Sequence, residues 1–268
     1  MSNPVRRLAR RVMERTGLIV PYYRWLERRS AEGLDAVVDD GRPMPPGELV
    51  VMVSGPSHAW FSERGRSDAQ MFRELAARHG QDVAVGLDVL DFGCGVGRIA
   101  RWLAPEVEAV GGTFTGSDLN GKLSGWCAAN LTGRYLTNGL KPPLAVADDA
   151  IDLAYAHSVL THLTEPTAVA WFAELARVLR PGGLALMTFH DETYAQAWAP
   201  PEVAGRLGPE PYVVWNNAME GSNYISAWAT RAHLSALSAP WFETVEIIPG
   251  RSDEPAQAIA VLRARDGV

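Results

Sequence analysis

Only two cysteines, Cys94 and Cys127, occur in 268 residues, and neither has a metal-binding or redox spacing. A disulfide framework is therefore excluded, and the pair reads as free thiols in a reducing compartment, which points to the cytoplasm. Positive charge is also in short supply: 25 lysines and arginines face 31 acidic residues, for a net charge of −6. That balance excludes a general nucleic-acid binder, which needs cationic surface to displace counterions. No apolar run approaches membrane-spanning length, and no signal-peptide core precedes a small-residue cleavage site, so stable membrane insertion is not expected. Repeats and low-complexity tracts are absent. What is present is an ordinary globular composition, 47% hydrophobic and 21% charged, enough at this length for one substantial core.

The charge is unevenly spread. Arg6, Arg7, Arg10, Arg11, Arg15, Arg24, Arg28 and Arg29 crowd the N-terminal arm, opposed only by Glu14 and Glu27. Val5, Leu8 and Val12 recur between them at helical spacing. The arm reads as a solvated helix over the core, or as an amphipathic helix for an anionic membrane face or an acidic partner. A proline-rich bend, "RPMPPGELVVM", follows. The division expected is an arm and bend over residues 1–50 and one domain over 51–268.

"SDAQMFRELAARHG" predicts a helix capped by Ser67, with Gly80 beyond its end. From residue 86 the chain alternates: a strand Val89 to Phe92, a glycine turn, a helix Arg98 to Leu103, and a strand ending at Asp118. "IDLAYAH" predicts a buried strand, and "PTAVAWFAELARVL" a helix with Val169, Phe172, Leu175, Ala176 and Leu179 on one stripe. "RPGG" ends that helix, with Gly182 or Gly183 in a left-handed cap, and "LALMTFH" begins another strand. Residues 191–225 show little periodicity and read as a long loop or lid. A helix after Thr230 and two strands, "FETVEII" and "QAIAVLRA", close the chain. Alternation of this kind predicts an α/β fold with a mostly parallel sheet covered on both faces.

The stretch "LDVLDFGCGVGRIARWL" raises the question of ligand. A glycine turn between strand and helix offers backbone amides to an anion. "GVGRIA" also fits the dinucleotide fingerprint, with Asp118 near the position of a ribose-binding acid, so a nicotinamide oxidoreductase is an alternative. Asp91 weighs against it. About 6 Å from a pyrophosphate charge, at an effective dielectric near 20, a carboxylate would be repelled by roughly 3 kcal/mol per charge. A ligand with an ammonium and a sulfonium but no phosphate would instead find the acid attractive.

On these residues the sequence resembles the class I S-adenosylmethionine-dependent methyltransferases, over about residues 50 to 190. The resemblance implies a Rossmann-like fold with a seven-stranded sheet, an antiparallel C-terminal strand and a cofactor-binding core over 86–190. It also implies S-adenosyl-L-methionine as cofactor. "VLDFGCGVGR" resembles the family's first motif, in which Asp91, Gly93, Gly95 and Gly97 surround the methionine end of the cofactor. "GSDLN" resembles the end of the second strand, so Asp118 would bind the ribose hydroxyls, with Leu119 beside it. Asn138 and Gly139 match the adenine-edge segment, and "IDLAYAHSVLTHL" the fourth motif, which brings in His157. The family's frequent Pro-Phe-Pro is replaced here by Ala145, Val146 and Ala147.

Methyl transfer mainly requires alignment of the nucleophile and exclusion of water. A hydroxyl acceptor also benefits from a base near neutrality, for which His162, His190 and His157 are the candidates. Some family members carry Glu-x-x-Glu-His where this chain has "SVLTH". Ser158 and Thr161 are poor substitutes for carboxylate ligands, so no catalytic metal is expected. Phe61, Trp198, Trp215 and Tyr224 are candidate acceptor contacts, suited to a sugar or a polyhydroxylated aromatic or equally to core packing. The resemblance implies O-methylation of a small molecule, a sugar or secondary metabolite, in glycan or natural-product biosynthesis. N- or C-methylation is the alternative within the family.

Overall fold

The computed structural model describes residues 38–266 except 217 and 218, together with isolated positions between 13 and 29. The basic arm therefore lies almost wholly outside the described residues. The chain forms two compact units, Met1–Glu63 and Arg64–Val268. The expected boundary after residue 50 falls inside a helix, α1 (Gly47–Val53), which follows Pro46 directly. In the same unit, the ring of His58 reaches the Pro45 carbonyl at 3.2 Å.

Helix α2 (His58–Arg78) begins ten residues before the expected start. Its first turn is held by Ser57, whose Oγ accepts from the Trp60 N–H at 3.2 Å. Ser67 is thus an interior residue, and the cap lies upstream, next to Pro56.

The larger unit is built on a seven-stranded sheet of order β3-β2-β1-β4-β5-β9-β8. Its parallel part comprises β1 (Asp88–Phe92), β2 (Thr113–Asp118), β3 (Arg134–Thr137), β4 (Ile151–Ala156) and β5 (Leu179–Phe189). Strand β9 (Ala258–Ala264) runs antiparallel between β5 and β8 (Phe242–Ile248). Period-two alternation sorts the two faces. Leu90, Phe92, Ala154 and Ala156 meet Trp171, Phe172 and Leu175 of helix α5 (Glu165–Val178) on one face. Val89, Leu153 and Tyr155 meet Phe72 and Leu75 of α2 and Leu103 of α3 (Ala100–Ala109) on the other. The buried stripe of α5 is Ala168, Trp171, Phe172, Leu175 and Val178. Val169 and Ala176, expected on it, flank it half-buried.

Two other expectations change. β5 starts at Leu179, immediately after α5, so "RPGG" lies inside the strand; Gly182 takes φ 77° within it and caps no helix. Residues 191–225, expected to be irregular, carry α6 (Glu192–Trp198), α7 (Pro201–Ala204) and β6 (Tyr212–Trp215). β6 pairs antiparallel with β7 (Ser226–Ala229) as a separate two-stranded sheet. A small cluster of Ala195, Val203, Val213 and Trp228 closes this subassembly. The apolar positions are spread over elements too short for a period to register. Helix α8 (Arg231–Ser238) follows Thr230 as expected, and the Thr230 side chain caps it by accepting from His233 N.

Candidate active site

Strand order reverses between β1 and β4, and the crevice outside their carboxyl ends is where open α/β sheets receive ligands. After β1 the chain turns through residues 93–99, and Gly93 and Cys94 both donate backbone N–H groups to the Ser117 carbonyl at the end of β2, at 2.8 and 2.9 Å. Gly93 and Gly97 have φ of 79° and 76°. A Cβ on Gly93 would lie 2.2 Å from Val159 Cγ2, and one on Gly97 2.3 Å from Leu131 Cδ1. The loop thus needs glycine both for its backbone angles and for its packing.

Asp91 and Tyr155 are register partners across β1 and β4, on one face of the sheet. Asp91 is 2% exposed, and its Oδ2 has no hydrogen-bond partner. Burial, reinforced by the nearby Asp118 carboxylate, pushes its carboxyl up to about 7, against the opposing influence of the Tyr155 hydroxyl and Arg98. That hydroxyl lies near enough to draw the carboxyl down, yet neither it nor Asp91 Oδ2 completes a well-formed bond. Ser117 Oγ and Asn138 Oδ1 are likewise buried and unpartnered at this edge. Clustering of such groups marks a place where a ligand supplies partners, since buried polar atoms are otherwise nearly always paired.

Asp118 is better satisfied. Its Oδ2 accepts from Gly95 N at 2.8 Å and its Oδ1 from Asn120 N at 2.7 Å. Each oxygen keeps a lone pair for a further donor. Leu119 beside it is 44% exposed. Asn138 donates its amide to the Gly139 carbonyl at 2.8 Å.

The three histidines are placed very differently. His157 Nδ1 faces Arg98 Nη2 at 3.2 Å, and its Nε2 lies 3.4 Å from Asp68 Oδ2. Asp68 is itself buried and paired with both Arg64 and Arg98. Burial and Arg98 drive His157 down to about 4, so it is neutral, with both ring nitrogens facing this charged cluster. His162 Nδ1 donates to the Ile225 carbonyl at 2.8 Å, and His190 Nδ1 to the Ala227 carbonyl at 3.2 Å. These carbonyls are two residues apart at the start of β7, so they point the same way and fix both rings from one edge. Burial lowers the pKa of His162. Burial, with a smaller contribution from His162, takes His190 to about 3. His190 also stacks on Tyr194 at 4.3 Å between centroids, and its Nε2 faces Gln257 Nε2 at 3.4 Å.

The turn between residues 216 and 225 is tied to this edge. Gly221 N donates to the His162 carbonyl at 2.9 Å, and Glu220 Oε1 accepts from Thr164 N at 2.7 Å. A Cβ on Gly221 would come within 2.9 Å of both Leu119 and Leu140, so the turn reaches the β2 side of the crevice.

Residues 90–187 match a family described as a methyltransferase domain. Over these residues the chain carries a methyltransferase domain. Over 108 residues, 38% of this chain and 37% of the relative, it is 34% identical to Methyltransferase GfsG of Streptomyces halstedii. It is 35% identical over 128 residues to a fatty-acid O-methyltransferase of Mycolicibacterium smegmatis, covering 47% of this chain and 44% of that one. The matches thus span less than half the length of these curated relatives. Among solved structures, the 1,6-didemethyltoxoflavin-N1-methyltransferase of Burkholderia thailandensis, with its substrate and S-adenosylhomocysteine bound, superposes with a TM-score of 0.53 at 18% identity. That superposition covers 78% of this chain and 81% of the other, and is a likeness of fold.

The methyltransferase domain's own donor set fits the cofactor. An unpartnered buried carboxyl suits an ammonium, Asp118 has lone pairs for hydroxyl donors, and Asn138 Oδ1 lacks a donor. The expected acceptor contacts fit less well. Phe61 is fully buried, and Trp215 is taken up by packing against the Val213 and Trp228 cluster, so the packing alternative describes both. Trp198 is 44% exposed and donates its indole N–H to the Arg251 carbonyl at 3.0 Å. Tyr224 is half-buried, in the turn that reaches Leu119. Sequence reasoning missed Asp68, Tyr155, Tyr194 and Gln257. Tyr155 sits inside an apolar run, and Gln257 is a single amide before a strand, so neither carried a local signal.

Proposed function

We propose that the protein transfers a methyl group from S-adenosylmethionine to a hydroxyl oxygen of a small molecule, a sugar or secondary metabolite, without a catalytic metal. The observation that carries the cofactor side is the buried, unpartnered Asp91 carboxyl beside the glycine loop. Bound there, S-adenosylmethionine supplies an electrophilic methyl group on a sulfonium. The chain's own residues then have three tasks. Asp91, ionised by pairing, holds the ammonium end. Asp118 accepts from the ribose hydroxyls, and Asn138 and Gly139 border the adenine.

His162 is the residue assigned to the acceptor proton. Its Nδ1–H is committed to the Ile225 carbonyl, which leaves the Nε2 lone pair as the basic site, and its lowered pKa keeps it neutral at physiological pH. His190 is second choice, because Gln257 already faces its Nε2. His157, locked between Arg98 and Asp68, serves as a positioning residue for the loop. At "SVLTH", Ser158 and Thr161 bond each other at 2.9 Å, a neutral pair with little to offer a divalent cation. An oxygen acceptor accords with the name of the fatty-acid O-methyltransferase relative. The test is release of labelled methyl to a panel of hydroxylated sugars and aromatics. Turnover that needs no added metal and survives chelator supports the reading; transfer only to nitrogen or carbon acceptors overturns it.

A further inference from the structure

On the reading that S-adenosylmethionine fills this crevice, we propose that Tyr155 is a positioning residue for the cofactor's ammonium. Its hydroxyl donates to the ionised Asp91 carboxylate and leaves the rest of that carboxylate for the ligand. The sheet makes the pairing. Registers across β3, β2, β1 and β4 set Tyr135, Gly116, Asp91 and Tyr155 in one row, and the side chains of such a row share a face. Gly116 brings no side chain, and a Cβ there would lie 2.6 Å from the Tyr135 ring. Tyr135 donates its own hydroxyl to the Thr132 carbonyl at 2.9 Å. Tyr155 differs from both. It is fully buried, its ring stacks on Phe72 of α2 with centroids 4.8 Å apart, and its Oη has no bond. Asp91 Oδ2 is buried without a bond in the same way.

A buried donor and a buried acceptor on adjacent strands, each left open, pair when the carboxyl ionises, because a bond to a charged oxygen is roughly twice as strong as a neutral one. Burial and the adjacent Asp91 hold the Tyr155 phenol far above its ordinary range, so it keeps the proton that it donates. Cys94, beside the Cys127 thiol and buried, and Tyr135, buried, also stay protonated. Burial and Asp118 oppose ionisation of Asp91, and Arg98, engaged with Asp68 and His157, joins Tyr155 in favouring it. A neutral donor suits the place, since a further cation against Asp91 would repel the ammonium.

The test is Tyr155→Phe, which keeps the ring on Phe72 and removes only the oxygen. Calorimetry follows S-adenosylhomocysteine affinity from pH 5.5 to 9 in the full-length wild type and variant, with thermal melting to show that each is folded. Without the donor Asp91 ionises at higher pH, so the variant's affinity curve should move up by about one pH unit. The loss should be about tenfold at pH 6 and should vanish toward pH 9. In an Asp91→Asn background the same substitution should leave the pH profile unchanged. 3-Fluorotyrosine at position 155, a stronger donor of nearly the same size, should move the curve toward acid, and it carries the test if the phenylalanine variant does not fold. A folded variant whose curve coincides with the wild type's, or lies below it by one factor at every pH, overturns the proposal. Wild-type protein that gives no heat with S-adenosylhomocysteine at any pH overturns the cofactor reading, and the proposal with it.

Discussion

The two halves of the crevice are built on opposite principles. Along the ends of β1, β2, β3 and β4, polar atoms are buried with nothing to bond: Asp91 Oδ2, Ser117 Oγ, Asn138 Oδ1 and Tyr155 Oη. Around β5 and β7, the titratable rings of His162 and His190 are tied down before any ligand arrives. Under the proposed function, the first half is held in readiness at a cost in stability, with partners that the cofactor would supply. The second is preorganised, so that little reorganisation is left for the reaction itself.

Asp91→Asn would break this contrast most sharply. In the free protein the buried carboxyl has its pKa raised from 3.8 to about 7. An acid raised in this way supports the fold below its ordinary range, and that support is lost as pH rises through about 7, up to ~4 kcal/mol at alkaline pH. The neutral amide escapes this cost. Asp91→Asn should therefore raise the melting temperature of the ligand-free protein above pH 7. It should also lose roughly several hundred-fold in S-adenosylhomocysteine affinity, the middle of the ~2–5 kcal/mol for truncating a buried charge pair. A variant that loses stability and keeps affinity would show that Asp91 is merely structural.

The same carboxyl predicts a pH dependence in the wild type. A cationic ligand requires it ionised, so S-adenosylhomocysteine affinity should fall by about tenfold per pH unit below about 7 and level off above. Calorimetry in buffers of different ionisation enthalpy would detect the proton released on binding near neutrality. Affinity that is flat from pH 5 to 8 would remove Asp91 from the cofactor's ammonium.

On the acceptor side the effects are kinetic. His162→Gln should cut turnover by roughly 100-fold and leave S-adenosylhomocysteine affinity unchanged. Because the folded pKa lies below 6.5, the wild-type rate should hold steady at neutral pH and decline only as acid protonates Nε2. Equal losses in rate and in cofactor affinity would instead mark His162 as a support for the turn at residues 216–225.

Legibility in the sequence divides along the same line. The glycine turn, and the placing of Asp91 and Asp118 at strand ends beside it, were readable because strand, turn and helix follow one another within 35 residues. The mostly parallel sheet followed from alternation of the same short-range kind. Nothing local placed Ile225 and Ala227 behind two histidines that lie 63 and 37 residues earlier. The subassembly of α6, α7, β6 and β7 was hidden for a related reason, its stability lying in contacts among short segments. Phe61 and Trp215 looked like acceptor contacts because residue type alone cannot separate a stacking face from a buried one.

Gln257 offers the finest division between the halves, since it acts on a histidine without touching the cofactor side. Its Nε2 donates to Ser158 Oγ at 2.9 Å and faces His190 Nε2 at 3.4 Å, while its Oε1 accepts from Thr188 Oγ1 at 2.7 Å. Thr188 in turn accepts the backbone N–H of Ser158, a residue held at φ 62°. This ring of bonds presents a donor to His190 and so favours its neutral form, adding to the burial that sets its pKa near 3. Gln257→Glu would reverse that preference, because a carboxylate next to Nε2 stabilises the imidazolium and should raise the His190 pKa by about 1–3 units. Nitrogen-15 spectra of the imidazole through an acid titration would read the shift directly. Turnover at neutral pH should change only a few-fold if His162 carries the proton. A collapse in rate with normal cofactor affinity would transfer the role of base to His190.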